Sequence, residues 1–144
     1  MMSLPMKRNA TLFHGTSKQR LQSILEEDCL RGYTVGTPAV CTSDHIEPAL
    51  YWANMTAWTD TSDPVVIGLS SRKLLGKQYI LARYSDPIYG VGKLDWEKEI
   101  RVRGSISPLA EVVEGYEEVP WSDIRRKCPW RITMWANSDC DRGQ

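Results

Sequence analysis

The run Asp95-Trp96-Glu97-Lys98-Glu99-Ile100-Arg101-Val102 places two carboxylates two residues apart at the head of an apolar strand. Successive strand side chains alternate faces, so Glu97 and Glu99 point one way while Ile100 and Val102 share the opposite, core-side face. Two acids on one strand face repel each other, and burial would raise at least one pKa. A fold accommodates such a pair as a solvated charged edge, or where it meets something cationic. Arg101 and Arg103 continue the acidic face and offer the first solution, a strand that neutralises its own charge. The second solution requires partners from elsewhere in the chain, and Phe13-His14-Gly15-Thr16-Ser17 is the stretch that suggests them.

At 144 residues the chain suits one domain with a sizeable core. Lys plus Arg equals Asp plus Glu, 18 against 18, so no global field steers it toward nucleic acid or an anionic membrane. No apolar run reaches the length of a transmembrane helix, and the N-terminus lacks the hydrophobic stretch of a signal peptide. A cytoplasmic protein, or one delivered into a host cytoplasm, is the expectation. The four cysteines, Cys29, Cys41, Cys128 and Cys140, form no C-x-x-C pair. The two histidines, His14 and His45, lie far apart in sequence. That argues against a structural zinc site and for reduced thiols, although an even count permits disulfides in an exported protein. Six Trp and six Tyr against one Phe supply amphipathic rings of the kind that line pockets.

Along the chain the pattern predicts an α+β domain over 10–136, with a flexible lead-in at 1–9 and a polar tail at 137–144. A strand is expected at 10–14. A helix capped by Ser17 follows over 18–29, with Leu21, Ile24 and Leu25 as its buried stripe. A strand at 38–43 precedes a helix over 45–58 capped by Asp44, with Ile46, Ala49, Leu50, Ala53 and Ala57 inward. Tyr51, Met55 and Trp58 give that helix a second, aromatic flank. The run 64–69 is the clearest buried strand. Further strands are expected at 77–84, 109–113 and 130–135, with a short helix at 122–127. Residues 85–92 carry Asp-Pro and two glycines and read as a surface loop.

The order of elements is a strand ending in His-Gly-Thr, a helix, a strand ending in Thr-Ser, a helix, a strand, and later a strand with Glu-x-Glu. Over roughly residues 11–103 this resembles the ADP-ribosyltransferase fold, in which two small sheets pack together with flanking helices. The resemblance implies NAD as substrate, with no metal. His14 would meet the adenosine-side ribose, and Gly15 would hold the nicotinamide carboxamide by its backbone, where only glycine lets a flat amide approach closely. Thr16 would add a hydroxyl. The bland alternative for His14 is a strand-end histidine satisfied by a backbone carbonyl. Thr42 and Ser43 stand where such folds carry a group beside the nicotinamide, and Tyr51 or Trp52 would supply a stacking surface or else pack into the core.

Glu97-Lys98-Glu99 matches the E-x-E pair of arginine-specific transferases, whereas His14 matches the first strand of a different, His-Tyr-Glu, branch. The chain mixes the two patterns. Breaking the nicotinamide–ribose bond builds positive charge on the ribose, and a carboxylate placed there stabilises it. Glu99 is the candidate for that role, and Glu97 for binding or deprotonating an arginine acceptor. Arg101 would hold the pyrophosphate or merely neutralise the acids. The implied activity is a mono-ADP-ribosyltransferase, such as a phage or toxin effector, whose 84–92 loop touches a target protein. The alternatives are an NAD glycohydrolase, a non-catalytic binding relative and, lower in rank, a tRNA 2′-phosphotransferase or a nucleic-acid ADP-ribosyltransferase. No membrane partner is expected.

Overall fold

A computed structural model of the chain describes residues 10–32, 37–83 and 99–119. They form six strands and three α-helices in the order β1 (Thr11–Ser17), α1 (Lys18–Glu27), β2 (Ala39–Ser43), α2 (Ile46–Asp60), β3 (Pro64–Ser70), α3 (Ser71–Gly76), β4 (Leu81–Arg83), β5 (Glu99–Arg103) and β6 (Val113–Glu118). The lead-in, the loop at 84–92, Glu97, the helix at 122–127, the strand at 130–135 and the tail lie outside the described residues.

The strands make one antiparallel sheet in the order β4-β5-β2-β1-β3-β6. This corrects the expectation of two packed sheets, and the register shows what remains of it. β1 pairs with β3 at seven positions and β2 with β5 at five, yet β1 and β2 meet at Phe13↔Ser43 alone. The sheet is therefore two three-stranded halves joined by a single residue pair. Past that pair, alternate residues of β1 turn their N–H and C=O groups toward a ladder that has stopped.

Each half is built by period-two patterning. Leu12, Val40, Val65, Ile67, Leu69, Ile100 and Val102 all point to one face and are buried there with Leu21 of α1 and Leu74 of α3. Ile100 and Val102 thus occupy the core face that the acidic run predicts. A buried side chain of this size stabilises the fold by about 1.5–3 kcal/mol relative to exposure. The opposite face of the β1–β3 half carries α2, whose Ala49, Leu50 and Ala53 pack with Val66 and Val119. Gly15 sits directly beneath it. A Cβ there would lie 2.1 Å from the Ala49 carbonyl oxygen, so helix and strand backbones touch.

The local signals fix most element starts. Ser17 Oγ accepts from Arg20 N at 3.2 Å and caps α1, as expected. Ser70 caps α3 through Lys73 N in the same way. Four expectations change. Leu25 is exposed, because α1 ends at Glu27 and presents only Leu21 and Ile24 to the core. Asp44 does not cap α2, since its carboxylate pairs with Arg83 and the His45 ring and the N-cap is His45. Of the strand expected at 77–84, the described residues form Leu81–Arg83, because Lys77, Gln78 and Tyr79 donate their N–H groups back to the last turn of α3. The strand expected at 109–113 is a short 3-10 turn, Leu109–Glu111, followed by β6, which the sequence hides. β6 is mostly polar and exposed, so its own pattern is weak, and pairing with the apolar β3 makes it a strand.

Candidate functional site

The split between the sheet halves opens a cleft of about 290 Å³. Three strands contribute to its wall. His14, Gly15 and Thr16 come from β1, Cys41, Thr42 and Ser43 from β2, and Glu99 and Arg101 from β5. Register explains the last two groups: Cys41 lies opposite Arg101 and Ser43 opposite Glu99, which puts all four side chains on one face. Along α2, Pro48, Trp52 and Thr56 follow at intervals of four and form the stripe that overlooks the cleft. Trp52 remains 44% exposed, a flat ring at the rim.

His14 crosses the split. Its Nδ1 is 2.7 Å from the carbonyl oxygen of Cys41, and a carbonyl can only accept, so Nδ1 carries the proton. Burial holds the ring's pKa below its ordinary 6.5, and the nearby Arg20 charge acts in the same sense. At neutral pH the imidazole is thus uncharged, and Nε2 is a hydrogen-bond acceptor. One ring nitrogen thus satisfies a backbone carbonyl, the bland alternative for His14, and the other is an acceptor.

Glu99 is 15% exposed at its side chain, and its Oε2 accepts from Arg101 Nε at 2.7 Å. This is the charge-neutralising arrangement that the sequence allows for, on the same strand face two residues apart. Cys41 faces the same pair. The protein packed around its thiol pushes the pKa up to about 12, and the Glu99 carboxylate adds to the effect. The thiol is therefore protonated throughout the physiological range and is no nucleophile.

Thr42 and Ser43 line the cleft but are committed structurally. The Thr42 hydroxyl donates to the Ile100 carbonyl at 2.7 Å, and Ser43 Oγ accepts from His45 N at 3.1 Å. They hold β5 and the start of α2 in place. Tyr51 is not among the lining residues; it meets Trp52 edge-on, with ring centres 5.2 Å apart and planes at 89°. It thus braces the ring that reaches the rim.

Arg20, Cys41 and Thr56 are cleft residues that sequence reasoning missed. Each stands at a legible offset: Arg20 three residues past the Ser17 cap, Cys41 two before Ser43 on one strand face, Thr56 four after Trp52 on one helix face. Among the described residues no group of His, Cys, Asp and Glu is arranged to hold a metal, and Cys29 and Cys41 are free thiols. No helix among them is long and apolar enough to cross a membrane. Compared with known families and characterised proteins, the sequence matches no family model and no individual protein.

Proposed function

We propose that the chain is a mono-ADP-ribosyltransferase, which cleaves the nicotinamide–ribose bond of NAD and transfers ADP-ribose to an arginine side chain of a target protein. The observation that carries this reading is the convergence of the His-Gly-Thr end of β1, the Thr-Ser end of β2 and Glu99 of β5 on one cleft, although 85 positions separate His14 from Glu99. A charged-edge role for Glu99 has no need of a neutral histidine across the same cavity. The cleft's volume is near the lower end of small-molecule sites, about 300–1,000 Å³, and suits the nucleoside-sized part of a dinucleotide.

The chemistry follows from the groups present. The C1′–N bond to nicotinamide breaks with its electron pair leaving on the nicotinamide ring, and C1′ becomes cationic. Glu99 offers a fixed carboxylate for that developing charge. His14 Nε2 accepts from a ribose hydroxyl, and the Trp52 face receives a planar ring. The acceptor nitrogen then gives its lone pair to C1′ and loses a proton to a carboxylate. Glu97, two residues before Glu99, takes that role in this reading. Water in place of arginine would make the same cleft an NAD glycohydrolase.

One observation favours a second reading, a cleft that binds without turnover: Arg101 already satisfies Glu99 at 2.7 Å. Incubation of the purified chain with adenylate-labelled NAD, with and without cell extract, separates the outcomes. Label on a protein supports transfer, free ADP-ribose supports hydrolysis, and retained NAD binding without consumption supports the second reading. Neither consumption nor binding would refute all three. Under transfer or hydrolysis, Glu99→Gln should lose about 100- to 1000-fold in rate.

A further inference from the structure

A second ion pair stands at the cleft mouth. Arg20, the cationic side chain that α1 contributes to the lining, donates from Nε to Asp60 Oδ2 at 2.9 Å, with Nη2 at 3.5 Å from Oδ1. Asp60 is the last residue of α2, where a carboxylate opposes the helix dipole and therefore needs partners. Its second partner is the Ser17 hydroxyl, which donates to Oδ2 at 2.6 Å. Asp60 is 13% exposed and Arg20 57% exposed, so a nearly buried acid grips one edge of a guanidinium whose other edge is in solvent. That is a preorganised fork. The held edge fixes the plane, and Nη1 keeps donors to give.

The usual competitor for an anion beside such a strand–helix junction is the helix N-terminus, and here it is closed. Lys18 N donates to the Asp63 carbonyl at 2.8 Å, Gln19 N to Ser62 Oγ at 2.9 Å, and Arg20 N to Ser17 Oγ at 3.2 Å. The first turn of α1 has spent its N–H groups on the protein. Arg101, the other arginine lining the cleft among the described residues, is committed to Glu99. Anion recognition at this mouth falls to the Arg20 side chain.

We propose that Arg20, oriented by Asp60 and Ser17, is the anion-holding residue of the cleft, and that the ligand carries a phosphate or diphosphate next to the hydroxyl-bearing portion that meets His14. The proposal deepens the NAD reading by assigning the diphosphate to this residue, and the diphosphate part of it stands apart from turnover. Calorimetric titration of the full chain, wild type and Arg20→Gln, with ADP-ribose, adenosine and inorganic pyrophosphate tests it. Arg20 is mostly exposed and glutamine keeps an N–H donor for Asp60, so the variant should fold, and Arg20→Lys keeps the charge while losing the fork.

Arg20→Gln should weaken ADP-ribose and pyrophosphate at least tenfold, leave adenosine unchanged, and flatten the salt dependence of ADP-ribose binding. Arg20→Lys should fall between the two. Equal binding of ADP-ribose by wild type and Arg20→Gln overturns the assignment and leaves the NAD reading standing. Arg20-dependent binding of pyrophosphate, without ADP-ribose or adenosine binding, upholds the assignment and removes the NAD reading. Equal loss of adenosine and ADP-ribose marks Arg20 as structural only and overturns it, as does a wild-type chain that binds none of the three.

Discussion

A methyl group on Gly15 would lie 2.1 Å from the Ala49 carbonyl oxygen, 2.5 Å from Ala53 N and 3.0 Å from Ala53 Cα. All three are α2 backbone atoms, so no side chain can rotate out of the way. Ordinary contact begins near 3.4 Å, and Gly15→Ala therefore requires α2 to withdraw from β1 by about 1.3 Å. Overpacking of this kind costs about 1–3 kcal/mol, and a rigid helix as the colliding partner favours the upper end. For a domain of this size that lowers the melting temperature by about 5–10 °C. Gly68→Ala is the matched control: its Cβ meets Thr11 Cγ2, a side-chain atom, at 3.3 Å and the Gly115 carbonyl oxygen at an ordinary 3.7 Å, and alanine removes the entropic cost of glycine in a strand. It should melt within about 2 °C of wild type, or slightly above it. Thermal denaturation followed by circular dichroism reads both variants. If Gly15→Ala melts with wild type, the close helix–strand contact is not what demands glycine there. A backbone contact to ligand would then become the better explanation of Gly15.

Two further predictions concern titration and reactivity. Because the folded pKa of His14 lies below 6.5, the unfolded chain takes up its proton first as pH falls. Stability should decline below pH 6.5 by up to about 1.4 kcal/mol per pH unit, and above 6.5 the residue contributes no slope. Asp44, held down by His45 and Arg83, adds its loss only below 3.8. Urea midpoints between pH 8 and 5 should show the decline in wild type and a flatter profile in His14→Gln; parallel profiles would exclude His14 as its source. Cys41 has an exposed residue surface but a thiol pKa of about 12, so access and ionisation predict opposite behaviour. Alkylation by iodoacetamide at pH 8, mapped by mass spectrometry, should be at least tenfold slower folded than in urea and faster in Glu99→Gln. Equal rates folded and unfolded would contradict the raised pKa.

What could be read along the chain was whatever depends on neighbours in sequence. The Ser17 cap sits immediately before α1, the inward face of α2 repeats at helical spacing, and 64–69 is apolar enough to declare itself a strand. The opposed faces of β5 needed only period two, so Glu99 and Arg101 fell on one side and Ile100 and Val102 on the other. β6 escaped because its Val-Glu-Gly-Tyr-Glu-Glu sequence has no strong pattern of its own, and its structure is lent by β3. Leu25 was misplaced because its exposure depends on where α1 ends relative to the core.

The site divides along the same line. The sequence by itself determined the chemistry available: a histidine–glycine–threonine strand end, a glutamate at the head of an apolar strand, and an arginine two residues on. Only the tertiary structure decided what those groups do together. The β1–β2 ladder stops after one pair, and that interruption, which no local pattern encodes, opens the cleft. Through it the His14 ring reaches the Cys41 carbonyl and becomes a neutral acceptor. The same packing brings Asp60, 40 positions away, onto Arg20 and turns an ordinary helix-surface arginine into an oriented donor. Propensity and periodicity act over a few residues, whereas a hydrogen bond between sheet halves or helix ends exists only once the backbone has closed.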